Sequence, residues 1–202
     1  MARIVRRATP PQYADYRSYK RFLRIDFRWR CCYCTIHEQN WGNDGHFAVE
    51  HFRPKEKFSE LKTTYTNLYY ACNLCNSYKW DKWPSDGDLA AGRRFFDACS
   101  DFSSDHFVDE GFGTLRGLTP CGEYTWKSVR LNRPDLIKMR NLRRQLNSRF
   151  KQVLRDVREL RSRRLVMAPG PDAEMLDRAI ENEAFLLAQI RDRYFRPPVP
   201  QR

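Results

Sequence analysis

Two short stretches decide the fold: Cys31-Cys32-Tyr33-Cys34 and Cys72-Asn73-Leu74-Cys75. Each contains two cysteines separated by two residues, a spacing that lets both sulfurs reach one tetrahedral ion. Thiols stay reduced inside a cell, so paired cysteines there indicate a metal before they indicate disulfides. The sequence therefore predicts a structural zinc site, and the alternative is a set of unligated thiols in the core. The expected ligands are Cys31, Cys34, Cys72 and Cys75.

The composition indicates a folded, nucleic-acid-binding protein. The 202 residues are 41% hydrophobic, and 37 Lys and Arg outnumber 25 Asp and Glu to give a formal charge of +12. Such an excess suits a polyanion, of which nucleic acid is the commonest. An anionic membrane surface or an acidic protein is the alternative. We see no secretory signal and no apolar run long enough to span a bilayer, so we expect no membrane association and a cytoplasmic location.

Secondary structure between the two cysteine pairs is predicted to be short and mixed. The stretch Phe47-Ala48-Val49 is typical of a strand, and so is Asn67-Leu68-Tyr69-Tyr70-Ala71. A short helix is expected from about Leu74, ended by Trp83-Pro84. The region is too small and irregular to build its own core, which is the role that a structural zinc ion would take.

Helices are predicted on both sides of this region. Thr9-Pro10-Pro11 indicates a helix start, with a helix to about Trp29. Apolar residues at steps of three and four predict a long helix after Asn132-Arg133-Pro134 and a second one capped by Asp172. The predicted regions are an N-terminal helical segment (1–30), the zinc-bearing core (31–84), an irregular connecting region (85–134) and a basic helical hairpin (135–196).

Polar residues with catalytic potential lie between the cysteine pairs. The chain has Val49-Glu50-His51-Phe52-Arg53-Pro54-Lys55, then Tyr65-Thr66-Asn67-Leu68, then Ala71-Cys72-Asn73-Leu74-Cys75-Asn76-Ser77-Tyr78-Lys79. Together with the first cysteine pair, these motifs resemble the HNH endonucleases of ββα-metal fold over residues 31–84. The fold class implied is α+β, with a small ββα-metal core and four-cysteine zinc knuckles flanked by an N-terminal helix and a C-terminal helical hairpin.

A narrower resemblance involves two separated motifs. Glu50-His51-Phe52-Arg53-Pro54-Lys55 and Leu131-Asn132-Arg133-Pro134 are similar to the HNH subunit of Septu-type or retron-associated anti-phage systems. This resemblance implies an anti-phage effector that cleaves DNA, with RNA not distinguished by the sequence. It also implies an ATPase partner that could control the nuclease.

The HNH resemblance assigns roles that the chemistry supports. His51 is expected to be the general base, because an imidazole takes up a proton near neutral pH. Glu50 and Asn76 offer hard oxygen ligands for a catalytic Mg²⁺ or Mn²⁺. Asn67 is expected to orient the loop that carries the base. The chain departs from the family in two places, since the family often has Asp at the position of Glu50 and His at that of Asn76. Phosphate contacts are expected from Arg53, Lys55 and Lys79.

The long helix is strongly basic. Residues 137–166 carry eleven Lys and Arg against one Asp and one Glu. A solvated helix face usually mixes signs, so this bias favours contact with phosphates or docking of an acidic partner. The nucleic-acid-binding candidates are Arg144, Lys151, Arg155 and Arg158. Two rival functions remain open: a zinc module that binds nucleic acid without cleaving it, and a nuclease subunit inactive without an ATPase partner.

Overall fold

The computed structural model describes residues 3–194 and has an α+β architecture of helices and two small two-stranded sheets. The chain divides into two compact units, Met1–Met139 and Arg140–Arg202, and the boundary falls inside a long helix. Residues 1–2 of the first predicted region and residues 195–196 of the last lie outside the described residues.

The predicted strands and short helix of the cysteine region are present, with slightly different limits. β1 (Phe47–His51) pairs antiparallel with β2 (Leu68–Cys72), and α2 (Asn73–Lys79) follows at once. The register places Glu50 opposite Tyr69. α2 ends before Trp83-Pro84, because Trp80 takes a backbone φ of 50° that cannot continue a right-handed helix.

The N-terminal helix is shorter than the sequence predicts. A 3₁₀ turn (Tyr16–Tyr19) leads into α1 (Lys20–Asp26), so the expected start at Thr9 is wrong. Asp15 is the capping residue, and its side chain accepts a hydrogen bond from the backbone N–H of Arg17. Pro11 disfavours helical backbone at Pro10, the residue that would begin a helix capped by Thr9.

The core of the first unit is rich in aromatic residues and lies around β2. α1 packs against β2 and buries Leu23 and Phe27. The N-terminal segment also contacts this strand, because Arg6 donates to the carbonyl of Leu68 at 2.7 Å and lies 4.3 Å from the ring of Tyr69. β2 is buried along its whole length, so it fixes the position of its last residue, Cys72.

The region predicted to be irregular contains regular structure. It holds α3 (Asp86–Ala90), α4 (Ser103–His106), a hairpin of β3 (Phe107–Gly111) and β4 (Thr114–Gly117), and α5 (Pro120–Ser128). The glycines of this region are typical of loops, but two of them lie where another part of the backbone passes too close for a side chain. A Cβ on Gly117 would lie 2.4 Å from the backbone nitrogen of Glu123, and one on Gly122 would lie 2.1 Å from the carbonyl oxygen of His106.

Two long helices complete the chain. α6 (Pro134–Leu165) and α7 (Pro171–Tyr194) each begin with a proline, which suits a position where no backbone donor is needed. α7 thus begins one residue before its predicted cap. An ion pair of 2.9 Å joins Arg164 to Asp177 across the connection. The buried side chains of the second unit include Val153, Val157, Ala173 and Ile190. No helix within residues 3–194 is long and apolar enough to cross a membrane.

Candidate metal centre and active site

The four predicted cysteine ligands form one buried cluster. Their four Sγ atoms all lie within 4.8 Å of one another, and all four residues are buried. Zinc–sulfur bonds of about 2.3 Å in a tetrahedron would separate the sulfurs by about 3.8 Å. The Sγ atoms of Cys34 and Cys72 are 3.8 Å apart. The geometry therefore matches a tetrahedral metal such as zinc, which confirms the predicted cluster.

Backbone contacts hold the first cysteine pair in a tight turn. The N–H of Thr35 donates to the carbonyl of Cys31 at 3.0 Å, and Thr35 has a φ of 64°. The N–H of Cys32 donates to the carbonyl of Tyr70 at 2.9 Å and so joins this turn to β2. β2 also ends at Cys72, the first residue of the second cysteine pair, so the same strand positions both pairs.

A second group of metal-ligand types has a different character. Asp101, His106 and Cys121 also bring their ligand atoms within 4.8 Å of one another. Arg94 forms a two-pronged ion pair with Asp101, with nitrogen–oxygen distances of 2.6 and 2.8 Å. The imidazole of His106 is bonded to Thr119 at 2.6 Å. A guanidinium opposes a bound cation, so this group serves packing.

Three of the four candidate catalytic residues border one cavity of about 440 Å³ beside the cysteine cluster. Glu50 and His51 reach it from the end of β1, and Asn76 reaches it from α2. Lys55 also lines it, whereas the guanidinium of Arg53 lies over the rings of Phe58 and Trp83, at 5.5 and 5.7 Å. Three residues separated in sequence thus converge on one space. The residues that line the cavity are Tyr16, Val49, Glu50, His51, Pro54, Lys55, Glu56, Asn73, Asn76, Ser77, Trp80 and Asp81.

His51 has one ring nitrogen engaged by the protein. Its Nε2 lies 2.9 Å from the carbonyl oxygen of Lys62, and a carbonyl can only accept, so Nε2 carries the proton in this contact. Nδ1 of the neutral ring is then an acceptor. Burial lowers the pKa of His51, with further lowering from nearby lysines, which favours the neutral form. The ring of Tyr16 packs edge-on against the imidazole at 4.7 Å and limits its rotation.

Asn67 holds the loop that follows the base. Its Oδ1 accepts from the backbone N–H of Arg53 at 2.8 Å, and its Nδ2 donates to the carbonyl of the same residue at 3.0 Å. A weaker contact of 3.4 Å reaches the carbonyl of Leu61. Asn67 is outside the cavity lining and so has the geometry of a positioning residue, as the family resemblance implies.

The phosphate contact predicted for Lys79 is wrong, because this lysine is buried and pairs with Glu50. Its side chain is fully buried, and its Nζ lies 2.7 Å from Oε1 of Glu50 and donates to the carbonyl of His51 at 2.7 Å. The hydroxyl of Tyr33 donates to the same carboxylate oxygen at 3.2 Å. Burial raises the pKa of Glu50 to about 7, although Lys79 acts in the opposite direction. Both contacts fall on Oε1 of the carboxylate.

Sequence reasoning misses three features of this site. The first two are the positions of Tyr16 and Trp80 in the cavity lining, to which no sequence motif points. Trp80 is 74% exposed there. The pairing of Lys79 with Glu50 is the third feature. A signal for the pairing is present, because Lys79 lies one turn after Cys75 on α2 and faces the same buried side.

The four basic residues proposed from the long helix lie in the second unit and are all exposed: Arg144, Lys151, Arg155 and Arg158. The buried residues Val153 and Val157 lie between them in sequence. Within the second unit, α6 therefore has an apolar side and a basic side, as its sequence predicts.

Comparison with known proteins gives one distant similarity. The chain is 24% identical over 161 residues to the Septu protein PtuA of Bacillus mycoides (strain KBAB4). The match covers 68% of this chain and spans about a fifth, 22%, of the length of that relative. No family model matches the chain. No solved structure matches it either. The similarity supports the link to Septu-type systems that the sequence motifs indicate.

Proposed function

We propose that the chain is a metal-dependent HNH endonuclease that hydrolyses phosphodiester bonds in DNA, as an effector of Septu-type anti-phage defence. One observation carries the proposal: Glu50, His51 and Asn76 meet at one cavity, with Nδ1 of a neutral His51 left as an acceptor. The strand–strand–helix order of β1, β2 and α2 supports a ββα-metal core. The defence role is supported by the Septu match.

His51 is the general base of this proposal. The bond from Nε2 to Lys62 fixes the tautomer, so that Nδ1 takes the proton from the attacking water. Tyr16 restricts the ring, and Asn67 fixes the loop behind it. Each of these contacts reduces the reorganisation that the base needs before it reacts.

Glu50 and Asn76 are the residues that would hold a catalytic Mg²⁺ or Mn²⁺. Their carboxylate and amide oxygens are hard ligands, which these ions prefer. Such an ion would supply positive charge to the scissile phosphate and the leaving oxygen. The ammonium of Lys79 counteracts the effect of burial on the pKa of Glu50 and so favours the anionic carboxylate that would serve as a ligand.

The exposed lysines and arginines would bind the phosphates of the substrate. Lys55 lines the cavity itself, and Arg53 lies on the loop beside it. The basic side of α6 would contribute contacts that do not depend on base sequence.

Incubation of plasmid DNA with the purified chain tests this function. We expect nicking and linearisation with Mg²⁺ or Mn²⁺ and none with the metal chelated. Asn76→Ala is expected to need a higher metal concentration, whereas the neighbouring exposed Ser77→Ala is not. Binding of DNA without cleavage under every metal condition would contradict a nuclease that is active alone, and would leave the non-catalytic zinc module and a subunit that needs a partner.

A second candidate is a nuclease subunit that is silent until an ATPase partner releases it. The Septu match favours this candidate because the chain resembles only part of a longer protein of such a system. The exposed charge of α6 would then dock the partner. Cleavage that appears only when the chain is co-expressed with its native genomic neighbours would support it, and full activity of the chain alone would exclude it.

A further inference from the structure

Arg133 reaches the cysteine cluster from the segment between α5 and α6. It is 8% exposed, and its Nη2 lies 3.4 Å from Sγ of Cys75 and 3.8 Å from Sγ of Cys72. These distances are within the range of hydrogen bonds to sulfur. The residue belongs to the Leu131-Asn132-Arg133-Pro134 motif, for which the proposed nuclease chemistry gives no role.

The second terminal nitrogen of the guanidinium, Nη1, fixes the orientation of the group. Nη1 donates to the carbonyl of Val129 at 3.3 Å and to that of Arg130 at 3.4 Å, where α5 ends. A planar guanidinium holds its donors in a rigid fork, so these two bonds aim Nη2 at the sulfurs. Among the described residues, Arg133 is the one whose guanidinium lies within hydrogen-bonding distance of Cys72 and Cys75.

Charge explains why a guanidinium suits this place. Four thiolates and one Zn²⁺ carry a net charge of −2, and burying an uncompensated charge is costly. A nearby cation offsets half of that charge, and hydrogen bonds to charged groups are about twice as strong as neutral ones. The cost of burying Arg133 is offset in the same way, because its partners are anionic when metal is bound.

The backbone of Arg133 joins the same residue to α6. Its carbonyl accepts from the N–H of Leu136 at 3.0 Å and of Ile137 at 3.2 Å, in the first turn of the helix. Leu136 is buried in the core of the first unit. One residue thus contacts the cluster through its side chain and begins the long helix through its backbone.

We propose that Arg133 is a charge-assisted donor to the metal-bound thiolates of Cys72 and Cys75 that retains the zinc ion and anchors the first turn of α6 to the metal centre. The proposal rests on zinc at the four cysteines and is independent of whether the cavity cleaves DNA. It gives the Leu131-Asn132-Arg133-Pro134 motif a structural role. It also predicts that the metal centre and the start of α6 stabilise each other.

Zinc transfer to a chromogenic chelator tests the proposal on the full chain. Outer contacts to metal ligands are typically worth 10- to 100-fold in metal affinity, so Arg133→Met is expected to raise the transfer rate by about tenfold or more. Arg130→Met is the matched control, because Arg130 lies over the same Tyr78 ring as Arg133, at 4.8 Å against 5.7 Å. Hydrogen exchange at Leu136 and Ile137 is expected to accelerate with Arg133→Met and not with Arg130→Met.

The outcomes separate this proposal from the others. Folded Arg133→Met protein with the parent's transfer rate would overturn it. If that variant does not fold, Arg133→Lys carries the test, because a single ammonium cannot replace the fork and zinc transfer should still exceed the parent's. Parent-like transfer by Arg133→Lys would overturn the proposal. A parent chain without zinc would overturn the metal site itself, whatever the nuclease assay shows.

Discussion

The cysteine cluster and the neighbouring cavity are built on the same elements, yet their ligand chemistry is opposite. Cys72 ends β2 and Cys75 lies in the first turn of α2, while Glu50 lies on β1 and Asn76 directly follows Cys75. Four soft thiolates saturate a zinc ion and leave no place for a substrate. In the proposed active site, two hard oxygen ligands beside a base would leave most coordination places open. The first centre would then only support the structure, and the second would carry out the chemistry.

The contrast also extends to hydrogen bonding. The sulfurs of Cys72 and Cys75 face a guanidinium, whereas Glu50 faces an ammonium and His51 faces a carbonyl. Each partner fixes the charge or tautomer that its site needs.

Loss of a zinc ligand is expected to have the largest effect. Cys72→Ser should abolish zinc binding and unfold the first unit, because structural zinc sites contribute apparent binding energies of about 10–16 kcal/mol to small domains. Metal analysis and thermal unfolding by circular dichroism measure both effects. Cys99→Ser, at a half-buried cysteine outside the cluster, is the control and should keep the zinc. A folded, zinc-free Cys72→Ser protein would contradict the supporting role.

The buried ion pair between Lys79 and Glu50 comes next. Lys79→Met would leave a buried carboxylate without its partner, and breaking a buried pair typically costs about 3–5 kcal/mol. Denaturant unfolding measures the decrease in stability. Lys82→Met, an exposed lysine three residues later, should change stability by much less. Adding Glu50→Gln to Lys79→Met should recover part of the stability, and no recovery would contradict the pairing.

Sequence patterns locate the cysteine cluster and the convergent residues, because the spacing of the cysteines and the motifs that resemble HNH endonucleases are local signals. They do not locate the end of α2 at Trp80 or the role of Lys79, since both depend on tertiary contacts. The region 85–134 has an irregular pattern because Gly117 and Gly122 resemble loop residues, but their missing side chains allow α5 to pack closely. A single sequence does not distinguish these two uses of glycine.

Asn67→Ala should have an intermediate effect on stability. It leaves the backbone N–H and carbonyl of Arg53 without their partner, and each unmade buried hydrogen bond costs about 1–3 kcal/mol. Urea unfolding measures the stability, and hydrogen exchange at Arg53 measures the loop. The cysteine cluster should keep its metal in this variant. Exchange at Arg53 equal to that of the parent would show that Asn67 does not hold the loop.

The smallest effect is expected from the basic side of α6. Neutralising Arg144, Lys151, Arg155 and Arg158 together should weaken DNA binding evenly across sequences. It should also reduce the salt dependence, by about 0.9 in logarithmic slope for each phosphate that the protein no longer binds. Binding measured over a salt series tests this. An unchanged slope and affinity would remove this surface from DNA binding and favour the docking of a protein partner.

The most direct test of the proposed active site is metal-dependent plasmid cleavage by His51→Ala beside His46→Ala. His46 is an exposed histidine just before β1, so its replacement removes an imidazole without touching the cavity lining. General-base catalysis contributes about 10²–10⁴-fold, and the cleavage rate of His51→Ala should fall by that factor with zinc content and DNA binding unchanged. His46→Ala should cut like the parent. Equal cleavage by His51→Ala and the parent would contradict the assignment of His51 as the base.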